Sequence, residues 1–222
     1  MPASTHRQAP ARDGGAAGGS DADQLLREIR ACRLCAERFA ATPTGHAPKP
    51  VLQFAPGARF AVAGQAPGVR AHASGRPFDD PSGVRLRRWL GVDQETFWDA
   101  RRIALAPMGF CFPGHDAKGG DLPPPPLCAR TWRDQLMAAH PRLALILLLG
   151  RPAIRWHLGP AAASQRLDAL AAQWRERLAA PTRPRIVVAP HPSWRNNAWL
   201  KRNPWFEAEA IPAIRAAVAS LL

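Results

Sequence analysis

One almost wholly apolar run, Leu143–Leu149 (LALILLL), constrains the fold of this 222-residue chain more than any other segment. It is far shorter than the roughly 20 apolar residues that span a bilayer. Because it lacks polar alternation, it is typical of a central parallel strand that is covered on both faces. Gly150 ends the run and a helical pattern follows. The run therefore predicts a sheet with helices packed on both sides.

Three further apolar segments predict short strands, at 59–63, 102–106 and 185–189. Four short strands that alternate with helices predict an α/β fold. We expect a three-layer α/β/α sandwich around a central, mainly parallel four-stranded sheet with right-handed crossovers. Helical spacing of apolar residues predicts helices at 21–32, 82–90, 127–140, 150–158, 164–178 and 206–221, the last kinked at Pro212.

The domain organisation expected from composition is simple. Residues 1–20 are rich in Gly, Ala, Ser and Pro and predict a disordered tail, while 21–222 predict one domain. The tail lacks the apolar segment of a signal peptide, and no run approaches the length of a membrane span. The sequence thus favours a cytoplasmic protein without membrane contact, and we expect a monomer.

The charge balance is strongly positive, with 30 Lys and Arg against 17 Asp and Glu and a formal net charge of +13. Such a surplus favours a polyanionic partner, and nucleic acid is the commonest one. Codon bias is the alternative, since nearly all the cations are arginines and only Lys49, Lys118 and Lys201 are lysines. Codon bias explains the excess of Arg over Lys better than it explains the shortage of acids.

Four cysteines form one close pair and one wide pair. Cys32 and Cys35 make a C-x2-C motif, and Cys111 and Cys128 bracket a Gly- and Pro-rich segment, the 109–126 excursion. In a cytosolic chain such a set indicates a metal or cluster site more than a disulfide framework. Structural zinc usually takes two close pairs, so this spacing favours a 4Fe-4S cluster, with zinc and unligated buried thiols as alternatives.

Three loops that follow predicted strands are expected to share one edge of the sheet. They are Gly64-Gln65-Ala66-Pro67-Gly68, the segment that begins Pro107-Met108, and His191-Pro192-Ser193. In parallel sheets the ligand site lies beyond the carboxyl ends of the strands. A tight turn is the plain interpretation of the first loop, and anion or carbonyl binding by its backbone N–H groups is the functional one.

Single residues near these loops have two interpretations each. Phe78 is either a core side chain or a wall on which a base stacks. Asp79 or Asp80 either caps the next helix or takes part in chemistry. His191 directly ends a strand, which favours a functional over a structural histidine.

The segment 194–205 interleaves aromatic, basic and amide side chains. A surface helix with a partly buried Trp face is one interpretation. The other is a DNA-binding segment with an apolar wedge, such as Trp194 or Leu200, in the base stack. Its cations would contact phosphates: Arg195, Lys201 and Arg202.

Taken together, these motifs resemble the uracil-DNA glycosylase superfamily over about 30–210. The match rests on the GQAPG loop with the later G-x-P-F segment at 75–78, on the H-P-S loop at 191–193, and on the cysteine spacing. The iron–sulfur branch often called family 4, or a sister group of it, is the most similar. The resemblance implies a base excision repair enzyme that hydrolyses the N-glycosidic bond of uracil, or of a related deaminated base, in DNA.

The resemblance also implies residue roles. The backbone amides of Gln65 and Ala66 would face a uracil carbonyl, Phe78 would stack on the ring, and His191 would donate to O2. The leaving base departs as an anion, so preorganised donors stabilise the transition state. The target nucleotide must first leave the helical stack, which a basic groove and a wedge favour.

Some positions depart from the family pattern. Ala66 stands where the highly active branch has a water-activating Asp, and Gln65 where the iron–sulfur branch often has Glu. Pro107, with Met108 next, occupies the slot of the Asn that reads the uracil edge; Asn196 or Asn197 are possible substitutes. Asp79 and Asp80 are candidates for orienting water. An inactive or weakly active module for damaged or single-stranded DNA is therefore the alternative function, and a zinc-bound protein associated with RNA or DNA is a third.

Overall fold

The structure is a computed structural model that describes residues 17–222. Its centre is a four-stranded sheet in the order β2-β1-β3-β4 with all neighbours parallel. This confirms the predicted fold class, and the observed strands lie within or coincide with the predicted segments. The strands are β1 (Phe60–Ala63), β2 (Ile103–Leu105), β3 (Leu145–Leu149) and β4 (Arg185–Ala189).

Helices surround this sheet on both faces. Those before β3 are α1 (Ala17–Ala31), α2 (Ala36–Ala40), α3 (Val69–Ser74), α4 (Pro81–Leu90), α5 (Gln94–Phe97) and α6 (Pro126–Ala138). Those after β3 are α7 (Arg151–Ser164), α8 (Leu167–Ala172), α9 (Trp174–Ala179), α10 (Asn197–Arg202) and α11 (Ile211–Ala219). Within the described residues, no helix has both the length and the apolar character that a membrane span needs.

The apolar run at β3 is buried on both faces, as the sequence predicts. Leu145, Leu147 and Leu149 pack with α4 and α11 on one face, the α4/α11 face. Ile146 and Leu148 pack with α6 and α7 on the opposite face, the α6/α7 face. Because side chains alternate along a strand, one short run supplies both layers of the core.

Several predicted boundaries are wrong for identifiable reasons. Helix α1 begins at Ala17 rather than Asp21, and the rest of the predicted tail, 1–16, lies outside the described residues. The single helix predicted at 164–178 is two, α8 and α9, which meet at Gln173. Gly159, in a left-handed conformation, interrupts α7. Before α11 the chain forms a π-helical turn, Phe206–Ala210, because proline at 212 has no N–H to continue the α-helical ladder.

A buried arginine–histidine pair joins α6 to α7. Arg133 is only 2% exposed; its guanidinium donates to the carbonyl oxygen of Ala106 (2.7 Å) and lies 2.8 Å from Nε2 of His157. Since a guanidinium only donates, Nε2 of His157 must accept, and the imidazole is neutral. Burial, and then the charge of Arg133, lower the pKa of His157 to about 3.

This pair predicts acid lability. The pKa of His157 is 6.5 in the unfolded chain and about 3 in the folded protein. Between these two pH values the unfolded chain binds a proton that the folded protein does not bind, so stability is lost as the pH falls. One such proton costs about 1.4 kcal/mol per pH unit, or roughly 2 kcal/mol between pH 6.5 and 5. Urea unfolding at pH 7 and pH 5 measures the loss. His157→Gln is expected to show a smaller loss; an identical loss in both proteins would contradict the prediction.

Candidate functional site

The loops that follow β1 and β2 are joined by backbone hydrogen bonds. The N–H of Met108 donates to the carbonyl oxygen of Gly64 (3.0 Å), and the N–H of Gly109 donates to that of Gln65 (2.9 Å). The two strands are adjacent and parallel, so their carboxyl ends meet at one edge. The first loop is therefore held in a defined conformation.

Phe78 and His191 face each other across this edge. Their ring centroids are 6.3 Å apart and their planes differ by 26°. A Cβ atom at Gly64 would be 3.3 Å from Cζ of Phe78, so the absence of a side chain at Gly64 lets the ring lie on the first loop. The structure thus brings an aromatic wall, an imidazole and the first loop together, as the sequence predicts.

The backbone around Phe78 is unusual and firmly held. Phe78 has φ 57°, in the left-handed region that side chains other than glycine rarely adopt. A Cβ atom at Gly83 would be 1.8 Å from the carbonyl oxygen of Phe78. Trp98 donates from Nε1 to the carbonyl oxygen of Pro77 (3.0 Å). Strained conformations of this kind persist where the surroundings determine them, often at functional sites.

The H-P-S loop is held by two polar side chains. Asn196 donates from Nδ2 to the carbonyl oxygen of His191 (2.7 Å), and Arg85 of α4 donates to the carbonyl oxygen of Ser193 (3.2 Å). No sequence pattern indicates this role for Arg85, because a contact between residues 108 positions apart leaves no local pattern. These two hydrogen bonds fix the loop that carries the imidazole.

The imidazole of His191 is favoured in its neutral form. Burial lowers the pKa of His191 below 6.5; the negative charges of Asp80 and Asp121 oppose that effect and the positive charge of Arg195 adds to it. A neutral imidazole has one N–H that can donate a hydrogen bond, and its other ring nitrogen accepts. It therefore suits the stabilisation of a developing negative charge.

Several of the candidate residues have structural partners. Asp80 caps α4 by accepting from the N–H of Gly83 (2.9 Å), while Asp79 is half-buried. Met108 is buried on the α6/α7 face and Pro107 is buried beside it. The amide of Asn196, one of the two candidates for reading the base, uses one N–H to hold the His191 backbone.

The segment after the H-P-S loop separates exposed from buried side chains. Trp194 is 74% exposed and carries the guanidinium of Arg195 over its ring at 5.9 Å. Leu200 packs against the core of the α4/α11 face. Lys201 and Arg202 are exposed. Of the two wedge candidates, the structure therefore favours Trp194.

A carboxylate that the sequence analysis did not consider also reaches this edge. Oδ2 of Asp121, in the 109–126 excursion, would be 3.9 Å from a Cβ atom at Gly68 of the first loop. Its charge also acts on His191. The only sequence signal was that the excursion starts at the carboxyl end of β2.

All four cysteines line one cavity, the cysteine cavity, whose empty space is about 410 Å³ including open solvent. Cys32 and Cys35 lie between α1 and α2, Cys111 lies in the excursion and Cys128 in α6. The other walls are largely apolar and include Phe39, Phe110 and Trp132. The spacing in sequence thus corresponds to a meeting of four thiols in space.

Burial disfavours the thiolate form of the wider cysteine pair. Burial raises the pKa of Cys111 to about 12 and that of Cys128 to about 11. The N–H of Phe110 nevertheless points at Sγ of Cys128 (3.4 Å). N–H groups directed at sulfur are a common environment of cluster ligands.

The four thiols do not form a compact site for one ion. Among the described residues, no group of three or more His, Cys, Asp or Glu side chains is close enough to hold a metal ion as it stands. Thiolates around one zinc ion lie about 2.3 Å from it and so crowd together.

One protein-family model matches the part of the chain that contains this site. Residues 52–215, about three quarters of the chain, match the family model described as the uracil DNA glycosylase superfamily. The matched region contains all three loops, Phe78, Asp121 and the wider cysteine pair. The closer pair, Cys32 and Cys35, lies outside it.

Proposed function

This chain belongs to the uracil DNA glycosylase superfamily, and we propose that it hydrolyses the N-glycosidic bond of uracil or a related deaminated base in DNA. The observation that carries the proposal is the facing pair of Phe78 and His191 above the first loop. The products are the free base and an abasic site.

The proposed chemistry follows from the three parts of the site. A base that has left the helical stack would lie on Phe78, with a carbonyl toward the backbone amides of Gln65 and Ala66. As the bond between C1′ and the base nitrogen breaks, its electron pair leaves with the base. The neutral imidazole of His191 donates to the charge that develops on O2. Water bonds to the oxocarbenium-like C1′ as the bond to the base breaks.

The surface beside the site supports DNA as the partner. Trp194 is exposed directly after the H-P-S loop with Arg195 beside its ring, and Lys201 and Arg202 are exposed further along the same segment. Cations of this kind bind phosphates without regard to sequence, and an apolar wedge fills the space that a displaced nucleotide leaves. The net charge of +13 acts in the same direction.

A panel of single- and double-stranded oligonucleotides tests the proposal. The panel carries uracil, hypoxanthine, xanthine or an oxidised pyrimidine, and release of free base is measured. We expect release of uracil or another deaminated base. Tight DNA binding without release of any base would contradict the enzyme and favour the alternative, a binding module, which the missing carboxylates at Gln65 and Ala66 support.

We further propose that the cysteine cavity holds a 4Fe-4S cluster, bound by Cys32, Cys35, Cys111 and Cys128. The position of all four cysteines around one cavity and the N–H of Phe110 that points at Sγ of Cys128 support it. The cluster would join α1 and the 109–126 excursion to the sheet. The cluster would have a structural role, and the proposed hydrolysis does not depend on it.

The cluster proposal predicts colour and iron. Protein purified without oxygen is expected to absorb broadly near ~400 nm and to contain iron and inorganic sulfide. Cys128→Ser is expected to lose most of this absorption, together with thermal stability, because a ligand and a crosslink between α6 and the excursion are removed. Colourless wild-type protein that contains zinc would contradict the proposal, since zinc thiolate sites do not absorb there.

A further inference from the structure

Hydrolysis at this site is assisted by a carboxylate that holds and polarises the attacking water, and the first loop has no carboxylate. Its side chains are those of Gln65, Ala66 and Pro67. Carboxylates are the usual groups for this step. Two carboxylates act on the imidazole of His191 through their charge, Asp80 and Asp121.

Asp80 already has a structural partner. Its Oδ1 accepts from the N–H of Gly83 at the start of α4, a capping bond that typically contributes about 1 kcal/mol. The same turn fixes Phe78, since Gly83 lies directly against the carbonyl group of that residue. Asp80 therefore supports the wall on which the base would stack.

Asp121 is presented to the site by a short hairpin in the 109–126 excursion. His115 and Asp121 form an antiparallel bridge, and the N–H of Leu122 donates to the carbonyl oxygen of Gly114 (2.9 Å). Asp116 closes the tip by accepting from the N–H groups of two residues of the turn, Lys118 and Gly120. The hairpin places the carboxylate at a defined position.

The two oxygens of Asp121 have different surroundings. Oδ1 lies 3.2 Å from Nε2 of His115. Oδ2 would be 3.9 Å from a Cβ atom at Gly68, which has no side chain and so leaves room beside the first loop. Since the side chain of Asp121 is 48% exposed, water reaches it directly.

We propose that Asp121 is the catalytic carboxylate that holds the attacking water, and that His115 positions it. This inference rests on the proposed glycosylase function. In the step, the water oxygen bonds to C1′ as the bond between C1′ and the base breaks. One water proton passes to Asp121 and then to solvent, and the departing base anion, bonded to His191, takes a proton from solvent.

Single-turnover release of base is the test, on whichever oligonucleotide the wild type cleaves fastest. Asp121→Asn keeps the shape of the side chain and is expected to slow release about 10²-fold, the lower end of what a general base contributes. Asp116→Asn removes one negative charge from the same hairpin and keeps its acceptor oxygen. It is expected to stay within about threefold of the wild type.

A second variant separates chemistry from structure. Asp121→Ala is expected to be as slow as Asp121→Asn, and added sodium formate is expected to restore part of its rate, because a free carboxylate can occupy the vacated place. Sodium chloride at the same ionic strength is the control. Equal effects of the two salts would overturn the catalytic role.

The outcomes distinguish this inference from the proposed function. A wild type that releases no base overturns both. An active wild type with an Asp121→Asn variant of equal rate overturns only the inference. The inference is also overturned if Asp80→Asn slows base release as much as Asp121→Asn does, or more. Asp80 would then be the carboxylate that holds the water.

Discussion

His191→Ala is expected to lower the single-turnover rate of base release by at least ~10²-fold while DNA binding and the melting temperature change little. The imidazole lies across from Phe78, at the edge where a base carbonyl would lie. Removing one preorganised donor of a developing anion typically costs 10²- to 10³-fold, or about 2.7–4 kcal/mol of transition-state stabilisation.

A conservative variant sharpens this test. His191→Gln keeps an N–H group in a side chain of similar reach, so it is expected to lose less than His191→Ala. The backbone anchors of the loop, Asn196 and Arg85, act on carbonyl oxygens and remain available in both variants. Equal rates for the wild type and His191→Ala would remove His191 from the mechanism.

Gly83→Ala is expected to destabilise the protein by at least about 2 kcal/mol and to abolish most base release. In a helix interior, alanine ordinarily stabilises by roughly 0.5–1 kcal/mol relative to glycine. Here the new Cβ would be 1.8 Å from the carbonyl oxygen of Phe78, so either α4 or the strained turn at Phe78 has to move. Overpacking of this kind costs about 1–3 kcal/mol or more, which outweighs the gain in propensity.

Gly57→Ala is the matched control, because a Cβ atom at Gly57 would meet nothing within 4 Å. Its unfolding free energy in urea is expected to stay within about 1 kcal/mol of the wild-type value. The prediction for Gly83 is contradicted if both variants are equally stable and equally active. A stable but inactive Gly83→Ala would place the effect in the turn at Phe78 rather than in α4.

Sequence patterns were most reliable where short stretches of chain decide the outcome. The run at β3 supplies alternating side chains to two layers, and that property belongs to the strand itself. A parallel sheet then brings the ends of β1, β2 and β4 to one edge whatever the details of packing. For that reason the sequence predicts that the first loop, Phe78 and His191 lie together at this edge.

Sequence patterns were least informative where one side chain could take either a structural or a functional role. Asp80 caps a helix, Asn196 holds a backbone carbonyl and Leu200 packs into the core, although the sequence also permitted each of them a direct part in binding or chemistry. Local sequence cannot distinguish these cases, because Asp80 and Asn196 bond to backbone groups only three and five residues away, through the same polar atoms that a ligand would use. The break between α8 and α9 and the π-helical turn before α11 have their origin in tertiary packing and in proline.

The sequence by itself determined the sandwich, its parallel sheet and the edge at which the site lies, because the hydrophobic period and the alternation of strands with helices follow from neighbours along the chain. Only the tertiary structure decided which carboxylate stands beside the first loop, which aromatic residue of the 194–205 segment is exposed, and that four distant thiols surround one cavity. Those depend on contacts between residues as much as 96 positions apart, Cys32 and Cys128 among them, and such contacts leave no periodic trace in the chain.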